Sequence, residues 1–203
     1  MSVPGSNVKF LIAREAYRGP PGDECDQVPD VIVLKSERQV VQRGQPFTSI
    51  DRDILWIECK APLLAKPHGF NMVMEEIVIR LSFAHKSRMV YFIPAADLRW
   101  MIFRWDPTIP PVSPLLEIKK TMKRGTWLVD PRVHPIPGEQ YVLPPQSNGK
   151  IIIDTTLAHS LDFWTINPAT DRPAHEHSMQ ALERHFQTIR TSQYVGQNPL
   201  SFR

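Results

Sequence analysis

The sequence predicts an α/β domain in which a central mixed sheet is flanked by helices. Three features indicate this class: two short apolar segments of strand length at 31–34 and 54–60, an amphipathic helical stripe over 70–84, and a pair of apolar strand segments at 88–93 and 98–105. The order helix, strand, strand, helix, strand, strand is typical of an α/β sandwich with a mixed sheet and a helix on each side of it.

The first elements follow from local patterns. Residues 7–18 predict a short helix with Phe10, Leu11, Ala13 and Tyr17 near one face, and the proline- and glycine-rich segment after it ends that helix. A strand over Val31–Leu34 opens after Pro29-Asp30. A polar stretch then leads to a second strand, Ile54–Lys60.

The elements predicted from residue 70 onwards are a helix, a strand pair, two further strands and a C-terminal helix. The helix over 70–84 carries apolar residues at i, i+3, i+4 and i+7 spacing, and residues 94–97 predict a hairpin link between the next two strands. Residues 126–129 and 150–154 are further strand candidates, and 174–193 predicts a C-terminal helix.

Proline divides the single predicted domain. Nine of the twenty prolines lie between 107 and 145, which predicts an irregular region over 107–149, since proline lacks a backbone donor. This leaves a core at 8–106, a C-terminal strand and helix at 150–193, and a frayed tail at 194–203.

Charge and cysteine content indicate which partners and which cellular compartment to expect. Residues 80–132 hold ten Lys and Arg against four Asp and Glu, whereas 1–79 hold nine against eleven, a distribution that suits cation-binding carboxylates beside a polyanion-binding surface. Two cysteines make no disulfide framework, and no signal-peptide pattern or membrane-length apolar run is present. We therefore expect an intracellular protein, nuclear or cytoplasmic, with no membrane partner.

The strand at 54–60 carries the main chemical feature. Alternate residues of a strand share a face, so Ile54, Trp56, Glu58 and Lys60 point one way and Leu55, Ile57 and Cys59 point the other. A carboxylate and an ammonium close an otherwise apolar row, which is costly unless the charges are paired or bind a metal.

Asp30 provides a second carboxylate. If 31–34 pairs with 54–60, Asp30 lies beside Glu58, and a hard divalent cation, Mg²⁺ or Mn²⁺, would hold the two together. Such a cation polarises a phosphoryl group and lowers the pKa of water, while Lys60 orients or deprotonates the attacking water or stabilises developing charge. The Cys59 carbonyl is a further possible ligand.

These residues resemble a known family. Pro29-Asp30, then 27 residues, then Glu58-Cys59-Lys60 resembles the PD-(D/E)xK (restriction-endonuclease-like) nuclease superfamily, and the segment as a whole looks like the PD-(D/E)xK-like domain of uncharacterised fungal proteins. The likeness covers roughly residues 8–106. It implies that Asp30 and Glu58 are metal ligands, that Lys60 is the catalytic lysine, and that Glu15 is an added acidic ligand.

The resemblance is incomplete in the helix that follows. That helix lacks the Gln-x-x-x-Tyr signature of the exonuclease-like branch, which argues against close kinship with it and leaves Glu75 and Arg80 as the available polar residues.

Other candidate patterns have competing interpretations. A second triplet, Glu117-Ile118-Lys119, is bracketed by prolines and is expected to be a decoy. Asp51 and Asp53 precede the strand, where a turn or capping role is favoured over metal binding. His175-Glu176-His177 lacks the i, i+4 spacing of a helical metal site, which favours a solvated surface.

Aromatic residues alternate with arginines on the strand at 98–105. Trp100, Phe103 and Trp105 could stack on bases, although core packing is favoured, and Arg99 and Arg104 are candidate phosphate contacts together with Arg80.

The sequence therefore predicts a metal-dependent nuclease that acts on nucleic acid, DNA more than RNA. The alternative is a non-catalytic nucleic-acid-binding or protein-interaction domain that keeps the nuclease-like fold. A large apolar surface patch on the proline-rich region over 107–145 would favour a third class, a protein–protein module of a larger assembly. The usual glycine-rich signatures of nucleotide-driven motors, dinucleotide enzymes and α/β-hydrolases are missing.

Overall fold

The computed structural model describes residues 8–13, 29–39, 48–62, 67–108, 116–120, 125–173 and 175–192. This part of the chain contains two α-helices and thirteen strands. The helices are α1 (Pro67–Ala84) and α2 (His175–Thr191). The strands in chain order are β1 (Val8–Ala13), β2 (Val31–Gln39), β3 (Thr48–Lys60), β4 (Val90–Ala96), β5 (Arg99–Trp100), β6 (Phe103–Trp105), β7 (Leu116–Lys119), β8 (Thr126–Leu128), β9 (Val133–Pro135), β10 (Ile151–Ile153), β11 (His159–Ser160), β12 (Ile166–Asn167) and β13 (Arg172–Pro173).

Eight strands form the main sheet, which is mixed. The order is β1-β2-β3-β4-β5-β11, with β6 pairing with β4 and β9. β3 and β4 are parallel and α1 lies between them in the chain, while the other pairs of this sheet are antiparallel. The predicted α/β class with a mixed sheet is confirmed.

The N-terminal segment is a strand, so the predicted helix over 7–18 is wrong where the structure describes it. β1 pairs with β2 in antiparallel register from Val8 to Ala13. Phe10 packs in the core cluster on the α2 side of the sheet and Ala13 in the cluster on the α1 side, as alternation in a strand requires. A helix would place these two residues on one face. Pairing with β2 outweighs the weak local pattern.

β3 is longer than expected and contains a bulge that matters for the site. Val33 pairs with Leu55 and Leu34 pairs with Asp53, so Ile54 is the extra residue. Beyond the bulge the predicted alternation holds: Trp56 packs on the α1 side and Leu55 on the α2 side. The prediction that Ile54 shares the face of Trp56 is wrong, because the bulge turns Ile54 to the α2 side beside Leu55.

The α1 helix packs its apolar stripe on one face of the sheet. Ile77, Leu81 and the other stripe residues up to that point are buried, as predicted, and Ala84 is half-buried. The second helix packs on the other face, where Ala181 and Ile189 join the cluster that contains Leu55.

The hairpin that β4 forms with β5 and β6 is interrupted opposite a proline. Its turn is Asp97-Leu98, which overlaps the predicted link over 94–97 only at Asp97, and Asp97 has φ +54°. Pairing with β4 lapses at Met101 and Ile102, opposite Pro94, which has no N–H to give to the ladder. The Tyr141 hydroxyl accepts a hydrogen bond from the Ile102 N–H at 2.7 Å and donates one to the Ile102 carbonyl at 2.5 Å.

The proline-rich region over 107–149 contains three short strands. One of them, β8, matches the strand predicted over 126–129, whereas β7 and β9 lie where the sequence led us to expect irregular structure. β7 pairs with β8 and β10 in a small separate sheet, and β9 extends the main sheet. In the described part of the chain, no helix is long and apolar enough to cross a membrane.

Candidate functional site

Asp30 and Glu58 lie side by side where β2 begins and β3 ends. Val31 pairs with Ile57, which places the preceding Asp30 beside Glu58. The Cys59 N–H donates a hydrogen bond of 2.6 Å to Asp30 Oδ2. The strand pairing that the sequence required for this site is therefore present.

Glu58 is buried and engages two cations. Its side chain is 1% exposed. Lys60 Nζ lies 2.7 Å from Oε1 and Arg80 Nη1 lies 2.7 Å from Oε2. Lys60 and Glu58 share a face of β3, as strand parity predicted, and α1 supplies Arg80 to that face.

Glu76 on α1 completes this group of charges. It lies one helical turn before Arg80 and accepts a hydrogen bond from Arg80 Nη2 at 2.5 Å. It also lies 2.9 Å from Lys60 Nζ. Glu75, the acidic residue of this helix that we expected at the site, is exposed on another side of the helix. The i, i+4 spacing of Glu76 and Arg80 was the signal that could have identified it.

The charges at this site perturb one another. Burial raises the pKa of Glu58 and the negative charge of Asp30 adds to that, against the lowering effect of Lys60 and Arg80. Burial alone would lower the pKa of Lys60, but hydrogen bonds to Glu58 and Glu76 outweigh it and raise that pKa. Burial and the charges of Asp30 and Glu58 raise the pKa of the Cys59 thiol. Lys60 is therefore held in its protonated form.

Asp30 and Glu58 are the two described carboxylates on which the predicted metal site depends. Asp30 and Glu58 are carboxylates close enough to interact electrostatically, and Mg²⁺ binds through one or two carboxylates together with waters and phosphate oxygens. Across the described ranges, no group of three or more His, Cys, Asp or Glu side chains is arranged to hold a metal. Glu15, the predicted additional ligand, lies outside the described residues, and the Cys59 carbonyl remains a prediction.

The other two candidate phosphate-binding arginines lie on different faces of the sheet. Arg99 is in the same cross-strand row as Lys60, because Ala96 pairs with both, and its guanidinium stands 5.8 Å from the centre of the Phe70 ring on the α1 side. Arg104 pairs with Tyr91, which belongs to the cluster on the α2 side. Of these two, only Arg99 shares a face with the site.

Arg99 also has structural partners. Its Nη2 donates hydrogen bonds of 2.8 Å to the carbonyls of Thr155 and Thr156. The aromatic residues that alternate with these arginines are core residues, as favoured from the sequence. Trp100, Phe103 and Trp105 are all buried.

The decoy triplet is built differently from Glu58-Cys59-Lys60. Glu117 accepts hydrogen bonds from Lys150 Nζ at 2.6 Å and from the Thr126 hydroxyl, and Lys119 pairs with Asp154 at 2.9 Å. Its two charges are directed to separate partners, so the triplet forms no joint acid–lysine site.

Asp53 is a buried ion-pair centre, and the predicted turn or capping role is wrong. It is 2% exposed within β3, accepts a hydrogen bond from Trp56 Nε1 at 2.7 Å, and pairs with His85 Nε2 at 2.7 Å and with Arg88. The bulge at Ile54 shifts its parity, so Asp53 contacts the side chains that follow α1. The sequence contained no signal for this bulge.

A second buried acid was missed altogether. Glu139 contacts His159 Nε2 at 2.6 Å and also His185 Nε2, which ties a loop, β11 and α2 together. The His159 ring stacks on Trp100 at 4.3 Å. Burial would raise the pKa of Glu139, but the two histidines lower it to about 2. The distances along the chain gave no indication of this cluster.

Comparisons of the chain with protein-family models, with curated proteins and with solved structures return no match. Functional inference therefore depends on the geometry of the chain itself.

Proposed function

We propose that this protein is a metal-dependent nuclease whose centre is formed by Asp30, Glu58 and Lys60, with DNA as the favoured substrate and the PD-(D/E)xK core as its fold. The observation that carries the proposal is the placement of Asp30 beside Glu58, at adjoining strand ends, with Lys60 Nζ 2.7 Å from Glu58. An acid pair with an adjacent lysine is the arrangement that the resemblance requires.

The three residues would have different roles in the reaction. Asp30 and Glu58 would hold Mg²⁺ or Mn²⁺, with the Asp30 carboxylate oriented by the Cys59 N–H. The bound cation polarises the phosphodiester and lowers the pKa of water. Lys60 has a raised pKa and therefore acts as a protonated donor that stabilises negative charge on the phosphate, which favours this role over that of a base.

Substrate contact would come from the α1 face. Arg99 lies two strands from Lys60 in the same row, a spacing of about 10 Å given the usual strand separation. Arg80, on α1, contacts the same Glu58 carboxylate as Lys60. A phosphate backbone crossing this face would meet three cations.

The second candidate is a non-catalytic nucleic-acid-binding or protein-interaction domain with the same fold. It is favoured by one observation: both oxygens of Glu58 are engaged by cations of the chain itself, Lys60 and Arg80. A charge group that is already neutralised can serve stability alone.

A cleavage assay separates the two candidates. Supercoiled plasmid and matched DNA and RNA oligonucleotides are incubated with Mg²⁺, Mn²⁺ or EDTA, comparing wild type with Asp30→Asn and Lys60→Met. Metal-dependent cutting by wild type that both variants lose supports the nuclease. Nucleic-acid binding without cutting at high protein concentration supports the binding domain, and equal cutting by all three proteins indicates contamination.

A further inference from the structure

The charged side chains around Lys60 form a closed ring of four ion pairs. Glu58 and Glu76 each contact both Lys60 and Arg80, so the ring has no net charge. The two carboxylates differ in access, because the Glu58 side chain is 1% exposed and that of Glu76 is 40% exposed. A buried carboxylate is costly unless it is paired, so the ionised form of Glu58 needs a cation beside it.

From this ring we infer that Arg80 is a resident counter-cation that a divalent metal displaces from Glu58, while Glu76 retains Lys60 and Arg80 at the site. The inference rests on the proposed function, since it concerns the same metal centre. It assigns Glu76 a positioning role and makes Arg80 responsive to metal.

The contacts of Arg80 permit such an exchange. Nη1 contacts Glu58 and Nη2 contacts Glu76, so the guanidinium can release one carboxylate and stay on the other. Lys60 has the same two partners and can remain beside Glu58 or move to Glu76. The buried Glu58 carboxylate then exchanges one cation for another and is never left unpaired.

The released Nη1 group becomes a phosphate donor. A guanidinium presents its donors in a fixed fork that suits a phosphate, and Glu76 would keep the fork in place. Metal binding and nucleic-acid binding are thereby coupled, because Arg80 contributes to phosphate contact only after metal has taken its place on Glu58.

Metal titration tests the exchange without any need for activity. Mn²⁺ affinity is measured by isothermal titration calorimetry and by electron paramagnetic resonance of free Mn²⁺. We expect Arg80→Gln to bind Mn²⁺ about tenfold more tightly and Glu76→Gln about tenfold more weakly, the scale of one charge-assisted bond. Arg80→Lys keeps the charge but cannot span both carboxylates, so its affinity should lie between those of wild type and Arg80→Gln.

Two exposed neighbours provide matched controls for the charge changes. Glu75→Gln and Lys86→Gln alter the same charges on or just beyond α1 without touching the ring, and should leave Mn²⁺ affinity within about twofold of wild type. If each control shifts affinity as much as its ring counterpart, general electrostatics explains the effect. The inference then fails, while the metal centre stands.

DNA binding in Ca²⁺ or EDTA tests the coupling. Arg80→Gln should weaken DNA binding about tenfold in Ca²⁺ and leave it unchanged in EDTA, and an equal loss in both conditions contradicts the exchange. If neither wild type nor Arg80→Gln binds Mn²⁺, the metal centre itself is wrong and the proposed function fails with it. Thermal melting of each variant checks that the fold is kept.

Discussion

Substitution of Asp53 by Asn should destabilise the protein more than any other isosteric change in β3. The side chain is 2% exposed, and its charge pairs with Arg88 and His85 while its oxygen accepts the Trp56 indole N–H at 2.7 Å. Asn keeps the volume but removes the charge, which leaves the buried Arg88 guanidinium without its counter-ion. Breaking a buried pair in this way costs about 3–5 kcal/mol.

That loss is large against the total stability of a domain, about 5–15 kcal/mol. Urea denaturation followed by tryptophan fluorescence measures it directly. Asp97→Asn is the matched control, because Asp97 lies in an exposed turn with φ +54°, a conformation that Asn also tolerates, and should change stability by less than about 0.5 kcal/mol. A loss below about 1 kcal/mol for Asp53→Asn, the value of a surface pair, would refute the buried-network account.

The pH dependence of stability follows from the same contacts. Burial alone would raise the pKa of Asp53, but His85, Arg88 and the Trp56 hydrogen bond outweigh it and lower that pKa. A carboxyl with a lowered pKa in the folded state stabilises the protein above its unfolded pKa of about 4, and this contribution is lost as pH falls further. Asp53→Asn should therefore flatten the acid side of the stability curve.

Three further outcomes are expected. Glu139→Gln should lower the free energy of unfolding by about 3 kcal/mol near neutral pH and weaken the loss of stability between pH 4.5 and about 2, measured by urea titration at several pH values. Tyr141→Phe leaves a buried backbone N–H and carbonyl unpaired and should cost about 1–3 kcal/mol in the same assay. Mn²⁺ should speed alkylation of Cys59 by iodoacetamide in a Cys25→Ser background, because the cation offsets the negative charges of Asp30 and Glu58 that raise the pKa of the thiol. An equal effect of Mn²⁺ in the Asp30→Asn variant would contradict this.

Regular patterns in the sequence identified the parts of the fold that depend on local periodicity. The buried stripe of α1 follows from the helical period, and the shared face of Trp56 and Glu58 on β3 follows from the strand period. The structure confirms both. β1 could not be found this way, because its six residues form a strand only by pairing with β2. Partner strands decide such cases, and a single sequence does not display them.

At the site, too, local patterns in the sequence predicted some residues, and contacts made only in the folded chain decided the others. Asp30, Glu58 and Lys60 were within reach because each stands at the end of an apolar strand, where a charged residue breaks the pattern. Asp53 was misinterpreted because one bulge residue, Ile54, reverses parity without a sequence mark. The i, i+4 spacing of Glu76 and Arg80 is visible in the sequence, but the contact of Glu76 with Lys60 depends on the three-dimensional position of α1.

The proposed metal centre is tested most directly by the same substitution in both Glu-x-Lys triplets of the chain. Glu58→Gln and Glu117→Gln each replace a buried, ion-paired glutamate on a strand, but only Glu58 lies beside Asp30. Single-turnover DNA cleavage in Mg²⁺ is measured for both variants after circular dichroism has shown that they are folded. We expect Glu58→Gln to lose cleavage by at least about a hundredfold, while Glu117→Gln cuts at the wild-type rate. Unimpaired cutting by Glu58→Gln would contradict the proposed metal centre.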